Sequence, residues 1–305
     1  MPNPLLETPN RILPALVTPL LPDGQLDVKS SERLINHLYD KGIGGLYLTG
    51  STGEGIYLRR EIREKLVELA VGLSKGRGKV IVHVGAVQPS LAIELAEHAG
   101  KAGADAVSSI PPFAGGYSWA EAKAFYTELA AKSPLPVVAY YIPGLTGQQR
   151  TIDELASLLD VPNICGYKFT EFNLYTMQRL LTRFKPDQII YNGPDEMLAL
   201  GLQFGAHGGI GTTYNVMPEL IVKIEKLCQA GKFAEAVAAQ KLANDIIEPL
   251  IAAHGVASTK QILVWQGLLD HTHCVFPRAG LTEQQQATLR QRLKSTAIGD
   301  SLTRG

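Results

Sequence analysis

A chain of 305 residues with 45% hydrophobic and 19% charged content is long enough to bury a large core, as one α/β domain or two smaller ones. Lysine plus arginine equal aspartate plus glutamate at 29 each, which speaks against a nucleic-acid surface or an anionic membrane and suits an enzyme of small molecules. Cys165, Cys228 and Cys274 are odd in number and form no Cys-x-x-Cys pair, residues 1–11 carry no leader pattern, and no apolar run approaches the roughly twenty residues of a membrane span. The expectation is a cytoplasmic protein with reduced thiols.

Along the chain, short β-type runs alternate with stretches of helical period, the pattern of a parallel sheet with crossover helices. The predicted strands are residues 12–18, 45–49, 80–85, 106–110, 136–142, 164–170, 188–193 and 208–212. Between them, residues 27–41, 59–74, 90–102 and 119–131 set Leu, Ile, Val and Ala on one face. Eight such units close a (β/α)8 TIM barrel. A doubly wound open sheet is the competing architecture, but Pro19-Leu20-Leu21-Pro22-Asp23-Gly24 stands where its Gly-x-Gly-x-x-Gly turn belongs. The division expected is a barrel core over residues 1–215 and a C-terminal helical extension over 216–305, packed as one structural domain. Helical pattern in the extension covers 219–229, 233–253 and 259–269, punctuated by Gly231, Gly255 and Pro277.

In such barrels the chemistry sits at the C-terminal ends of the strands. After the second run comes Gly50-Ser51-Thr52-Gly53-Glu54-Gly55, whose glycines let backbone approach a ligand. The hydroxyls and amides of Ser51 and Thr52 suit a carboxylate or phosphate, although such a turn alone is more often a helix start. The fifth run ends in Tyr140-Tyr141-Ile142-Pro143. The sixth, Ile164-Cys165-Gly166-Tyr167-Lys168-Phe169-Thr170, holds a lysine among apolar neighbours, where burial disfavours an ammonium ion and leaves an amine able to attack a carbonyl. Alone, Lys168 reads as a snorkelling strand lysine and Tyr140 as a packed ring. Facing one cavity, they read as a nucleophile and an acid/base partner. Thr170 shares the face of Lys168 at a period of two, while Cys165 falls on the other face.

After the seventh run, Tyr191-Asn192-Gly193-Pro194-Asp195-Glu196 brings two carboxylates to the mouth, and no Lys or Arg occurs from Tyr191 to Val222. That disfavours a phosphate site and favours hydrogen bonds from sugar hydroxyls. Helix-dipole complementation by the acids is the other reading, and the two can coexist. The histidines at 37, 83, 98, 207, 254, 271 and 273 form no recognisable ligand spacing, so no metal is expected.

These motifs, with Gly208-Gly209-Ile210-Gly211 after them, resemble the N-acetylneuraminate lyase and dihydrodipicolinate synthase family of pyruvate-dependent class I aldolases over residues 12–275. The resemblance implies a metal-free barrel with no cofactor beyond a covalent imine on Lys168. It also implies a proton relay through Tyr140 and Ser51, and a homo-oligomer, commonly a tetramer. Leu145 stands where the synthases carry an arginine, which points to the sialic acid lyase branch. In that branch Gly193, Asp195 and Glu196 bind the polyol tail, and Thr212 takes the place of a serine that contacts it. The implied reaction is cleavage of N-acetylneuraminate to pyruvate and N-acetylmannosamine. Rivals are an aldolase for another 2-keto-3-deoxy sugar acid and a non-catalytic sugar-acid binding protein. The chain departs from the branch at Ala114 and Gly115, where bacterial lyases carry tyrosines, and at Tyr141, where asparagine is common. Glu171 either touches ligand or caps the helix expected near Asn173.

Overall fold

The computed structural model describes residues 3–8, 10–112 and 116–304. Eight parallel strands are formed, β1 (Ile12–Pro14), β2 (Gly45–Leu48), β3 (Lys79–His83), β4 (Ala106–Ser109), β5 (Val137–Tyr141), β6 (Ile164–Phe169), β7 (Ile189–Asn192) and β8 (Gly208–Gly211). Each lies beside its sequence neighbour, and β1 pairs with β8. The ring closes between β1 and β2 through a bridge of Ala15 with Tyr47, where the Leu16 N–H donates to the Tyr47 carbonyl at 2.9 Å. All eight predicted runs are strands and the architecture is the expected TIM barrel. The first strand is shorter than its apolar run. Beyond Pro14 the chain bonds to the ring and then to loops, with the Thr18 hydroxyl donating to the Gly53 carbonyl at 2.7 Å.

Alternation sorts the strand residues into two cores. Leu13, Tyr47, Ile81, Val138, Tyr140 and Ile210 fill the barrel interior, where Leu5, from the turn Pro4–Leu6, joins them. Leu46, Val82, Ala139, Tyr167, Phe169 and Ile190 face the helices.

Helices follow the strands as α1 (Val28–Asp40), α2 (Arg60–Ser74), α3 (Pro89–Ala102), α4 (Trp119–Lys132), α5 (Pro143–Thr146), α6 (Ile152–Leu158), α7 (Leu174–Leu181), α8 (Leu198–Gln203) and α9 (Pro218–Gln229). Their starts follow local chemistry: Asp27 caps α1, and Ser118 with Glu121 and Thr151 with Glu154 form capping boxes on α4 and α6. The extension continues as α10 (Phe233–Ala252), α11 (Val256–Trp265), α12 (Glu283–Lys294) and α13 (Gly299–Leu302). The α12 segment, Glu-Gln-Gln-Gln-Ala-Thr-Leu-Arg-Gln-Arg-Leu-Lys, escapes a periodicity reading because only Leu289 and Leu293 are buried on it. No helix among the described residues is long and apolar enough to cross a membrane.

Candidate active site

β5, β6 and β7 set the floor. Register pairs Tyr140 with Lys168 and Lys168 with Tyr191, so the lysine lies level with two interior tyrosines. Lys168 is 4% exposed. Its Nζ lies 4.1 Å from the centroid of the Tyr140 ring and 4.2 Å from that of Tyr47. It forms no ion pair among the described residues, whereas the other deeply buried lysine, Lys260, is bonded to Glu54 at 2.6 Å. The electron-rich ring faces hold an ammonium ion yet supply no lone pair to fix it.

Tyr47 was not singled out by motif. An aromatic at an interior position of β2 was the available signal, since period two sets residues 45 and 47 on one face. Its hydroxyl donates to the Ser108 Oγ at 3.1 Å, and its ring meets Tyr140 edge-on at 6.2 Å. His83 completes the group, edge-on to Tyr140 at 6.0 Å. The His83 Nε2 accepts from the Ile110 N–H, so its Nδ1 carries the hydrogen toward the Thr49 carbonyl at 3.2 Å. Burial, then the charges of Arg63 and Lys168, push its pKa down to about 3 and keep the ring neutral.

Cys165 does not obey simple alternation. Against β5, Ile164 pairs with Val137 and Gly166 with Val138, so β6 carries one extra residue and the pleat flips there. The thiol therefore packs with Tyr140 and Tyr191 inside the barrel, on the side of Lys168 rather than away from it. Burial pushes the Cys165 thiol up to about 12, which makes it unreactive.

The loops that follow the strands line a cleft of about 340 Å³; Lys168 and Tyr140 are not among its lining residues, and Thr170, two residues after the lysine, is the point where β6 reaches it. Ser51, Thr52, Thr170, Gly193, Asp195, Glu196 and Thr212 all line it, the full set of ligand-contact residues read from the sequence. The Thr52 and Thr212 hydroxyls bond each other at 2.6 Å, joining the loops after β2 and β8. Asp195 accepts from the Thr213 N–H and hydroxyl, both at 2.7 Å. The acid is thus tied to the β8 loop while it stands with Glu196 in the first turn of the short 3-10 helix Asp195–Met197 that leads into α8, and burial pushes its carboxyl up to about 6. Gly193 is confined by contact with Thr170: a Cβ there would meet the Thr170 Oγ1 at 1.9 Å. The glycine of the second loop, Gly55, approaches its own chain and not the cleft, since a Cβ would lie 1.8 Å from the Thr49 carbonyl oxygen.

The remaining wall comes from the extension, which sequence motifs did not reach. Ile247, Leu250, Ile251 and Val256 give an apolar side, and Arg278 a cationic corner. Gln240 of α10 locks the acidic loop by donating to the Asp195 carbonyl at 3.0 Å. Leu145 is half-exposed on α5, and the Tyr141 hydroxyl donates outward to Gln149 at 3.1 Å. Glu171 accepts from the Phe172 N–H at 2.8 Å and from Gln149 at 3.1 Å, a turn role away from the cleft lining, while Asn173 itself caps α7. Ala114 and Gly115 lie outside the described residues. No group of three His, Cys, Asp or Glu among the described residues could hold a metal ion.

A parallel barrel with its polar cleft at the C-terminal ends of the strands defines a (β/α)8 enzyme acting on a small molecule. Residues 8–296 match the dihydrodipicolinate synthetase family, and the chain belongs to that family, a carbon–carbon lyase within it. It is similar to the N-acetylneuraminate lyase of Rhizobium meliloti, 37% identical over 257 residues that span 84% of this chain and 85% of that one. Among solved structures it resembles the catalytic lysine mutant of the Ruminococcus gnavus sialic acid aldolase, with a TM-score of 0.91, 28% identity and coverage of 99% and 100%. It also resembles CdNal of Clostridium difficile in complex with mannosamine, with a TM-score of 0.89, 29% identity and coverage of 94% and 99%.

Proposed function

We propose that this protein is a Schiff-base aldolase that cleaves N-acetylneuraminate to pyruvate and N-acetylmannosamine, with Lys168 as nucleophile. The observation that carries the reading is the setting of Lys168: a buried amine between two tyrosine rings, without a carboxylate partner among the described residues, on the strand whose Thr170 lines a cleft of hydroxyls and acids.

Open-chain substrate sets its carboxylate on the hydroxyls and amides of Ser51 and Thr52. The Lys168 amine adds to the C2 ketone, and loss of water leaves an iminium that draws electrons from C3. Tyr140, with Ser51 in its relay, takes the proton of the C4 hydroxyl as the C3–C4 bond breaks. The C4 carbon leaves as the aldehyde of N-acetylmannosamine, and the bonding pair remains as an enamine. Protonation at C3 and hydrolysis of the iminium release pyruvate and restore the amine. Thr170, Gly193, Asp195, Glu196 and Thr212 orient the polyol end through hydrogen bonds, and no metal or diffusible cofactor enters any step.

The proposal includes a cytoplasmic homotetramer, with barrel and extension acting as one structural domain. Three free cysteines accord with a reducing compartment. The exposed Phe172, Tyr175 and Phe276 offer apolar surface for association. Intact mass after pyruvate and borohydride, in wild type and Lys168→Ala, tests the chemistry. An adduct that needs Lys168, with N-acetylmannosamine released from N-acetylneuraminate, is the expected result. An adduct without sialate cleavage transfers the activity to a 2-keto-3-deoxy sugar acid, and normal turnover by the alanine variant ends the proposal.

A further inference from the structure

Arg278 lies between α11 and α12, outside every strand-end loop of the barrel, yet it lines the same cleft as Ser51 and Asp195. Its Nη1 donates to the Ser51 carbonyl at 3.3 Å, and its guanidinium lies 5.3 Å from the centroid of the Tyr57 ring. It forms no ion pair among the described residues, whereas Arg33, Arg60, Arg77, Arg183 and Arg292 do. A neutral carbonyl and a ring hold the group in place and leave its charge uncompensated.

The polar rim of the cleft is a continuous arc. It begins at Arg278, bonded to Ser51, passes to the adjacent Thr52, crosses to Thr212 at 2.6 Å, and from the adjacent Thr213 reaches Asp195 at 2.7 Å, with Glu196 beside it. A cation stands at one end of this arc and two acids at the other. Ser51 and Thr52 can offer a carboxylate only neutral donors, so among the described residues the sole full positive charge on the rim is the guanidinium next to them.

We infer that Arg278 is the positioning residue for the substrate carboxylate: its field draws a 2-oxo acid into the cleft carboxylate-first, while Asp195 and Glu196 repel that end and accept the hydroxylated one. The inference rests on the reading of this cleft as a 2-oxo acid site. A group seated on Ser51 falls within the Debye length of about 8 Å at physiological ionic strength, so the attraction survives there and weakens in concentrated salt. Orientation is then set by charge before any hydrogen bond forms, and the C2 carbonyl arrives on the side of Lys168.

The test is the pyruvate concentration that half-saturates borohydride trapping, read by intact mass at low and high salt, in wild type, Arg278→Gln and Arg278→Lys. Steady-state cleavage of N-acetylneuraminate is measured alongside. In wild type the half-saturating concentration rises with salt. In R278Q it is about tenfold higher and nearly insensitive to salt, with KM raised and kcat held within about twofold. R278K regains the salt dependence and most of the affinity, because charge and not the bond to Ser51 is the active property. A wild type indifferent to salt, an R278Q with wild-type half-saturation, or an R278K as impaired as R278Q overturns the inference while leaving the aldolase standing. A wild type that forms no adduct at all removes the underlying reading as well.

Discussion

Glu54 and Lys260 form an ion pair 2.6 Å long in which neither side chain is exposed, and it joins the loop after β2 to α11 of the C-terminal extension. The other Glu54 oxygen accepts from the Val275 N–H at 3.0 Å, and the Lys260 ammonium also donates to the His273 carbonyl at 2.7 Å. Each charge is thus held by two hydrogen bonds. Glu54 and Thr49, which flank the Ser51-Thr52 turn, both adopt positive φ, 56° and 53°, a backbone conformation that side-chain-bearing residues rarely take.

Removing one partner leaves a buried charge uncompensated. Lys260→Met is expected to lower unfolding stability by about 3–5 kcal/mol in urea titration. Below its own unfolding midpoint the variant still forms the pyruvate adduct, because Lys260 is anchored and Lys168 is the nucleophile. An unchanged midpoint contradicts the structural role, and loss of the adduct from folded protein contradicts the division of labour between the two lysines.

Tyr140 presents two separable properties, a ring face 4.1 Å from the Lys168 Nζ and a hydroxyl for proton transfer. Tyr140→Phe keeps the first and deletes the second. Pyruvate trapping is expected to persist, while the cleavage rate falls by roughly 10²–10⁴. If trapping vanishes together with cleavage, the hydroxyl serves imine formation itself, and its assignment to the carbon–carbon step is wrong.

The strand-end chemistry was legible because barrel architecture converts order along the chain into place at the mouth: eight apolar runs locate eight loops, and the unusual polar residues fall in them. Ser51, Thr170, Asp195 and Thr212 reach one cleft for that reason. Three things were not legible. The extra residue in β6 that turns Cys165 inward depends on cross-strand register, which one strand does not encode. The anchoring of Asp195 by Thr213 is a contact between two loops whose approach the strand order alone does not fix. Arg278, from the segment between α11 and α12, and the apolar wall of α10 belong to an extension that carries no catalytic motif and reaches the mouth only through packing.

Asp195 gives the site a pH signature. Burial raises its carboxyl from 3.8 to about 6, more than the Thr213 bonds lower it. Raised above the unfolded value, it binds its proton more tightly when folded, so between about pH 4 and 6 the folded state holds more protons than the unfolded one. Its contribution to stability is full below that window and declines as pH rises through it, by an amount on the order of 3 kcal/mol. Asp195→Asn lacks this decline, and the stability difference between variant and wild type is expected to move in favour of the variant from pH 4 to pH 7. Equal pH dependence of the two proteins would falsify the assignment. In wild type, kcat/KM for N-acetylneuraminate falls below about pH 6 as the acceptor is protonated, whereas D195N shows no such limb.

Thr170 carries the sharpest contrast between folding and binding. Its Oγ1 is buried, has no hydrogen-bond partner among the described residues, and lies where Gly193 leaves room for it at the edge of the cleft. A buried hydroxyl without a partner costs about 1–3 kcal/mol, and a ligand hydroxyl arriving in the cleft can repay that cost by bonding to it. Thr170→Val, nearly isosteric, removes the orphan group. Two effects of opposite sign follow: the free protein is expected to become more stable, with a higher thermal midpoint, and KM for the sugar acid to rise by about fivefold or more. Pyruvate, too short to reach the polyol side, should trap on Lys168 at the wild-type concentration. A valine variant that is less stable than wild type shows the hydroxyl to be satisfied in the folded chain, and one with unchanged KM shows that substrate does not meet it.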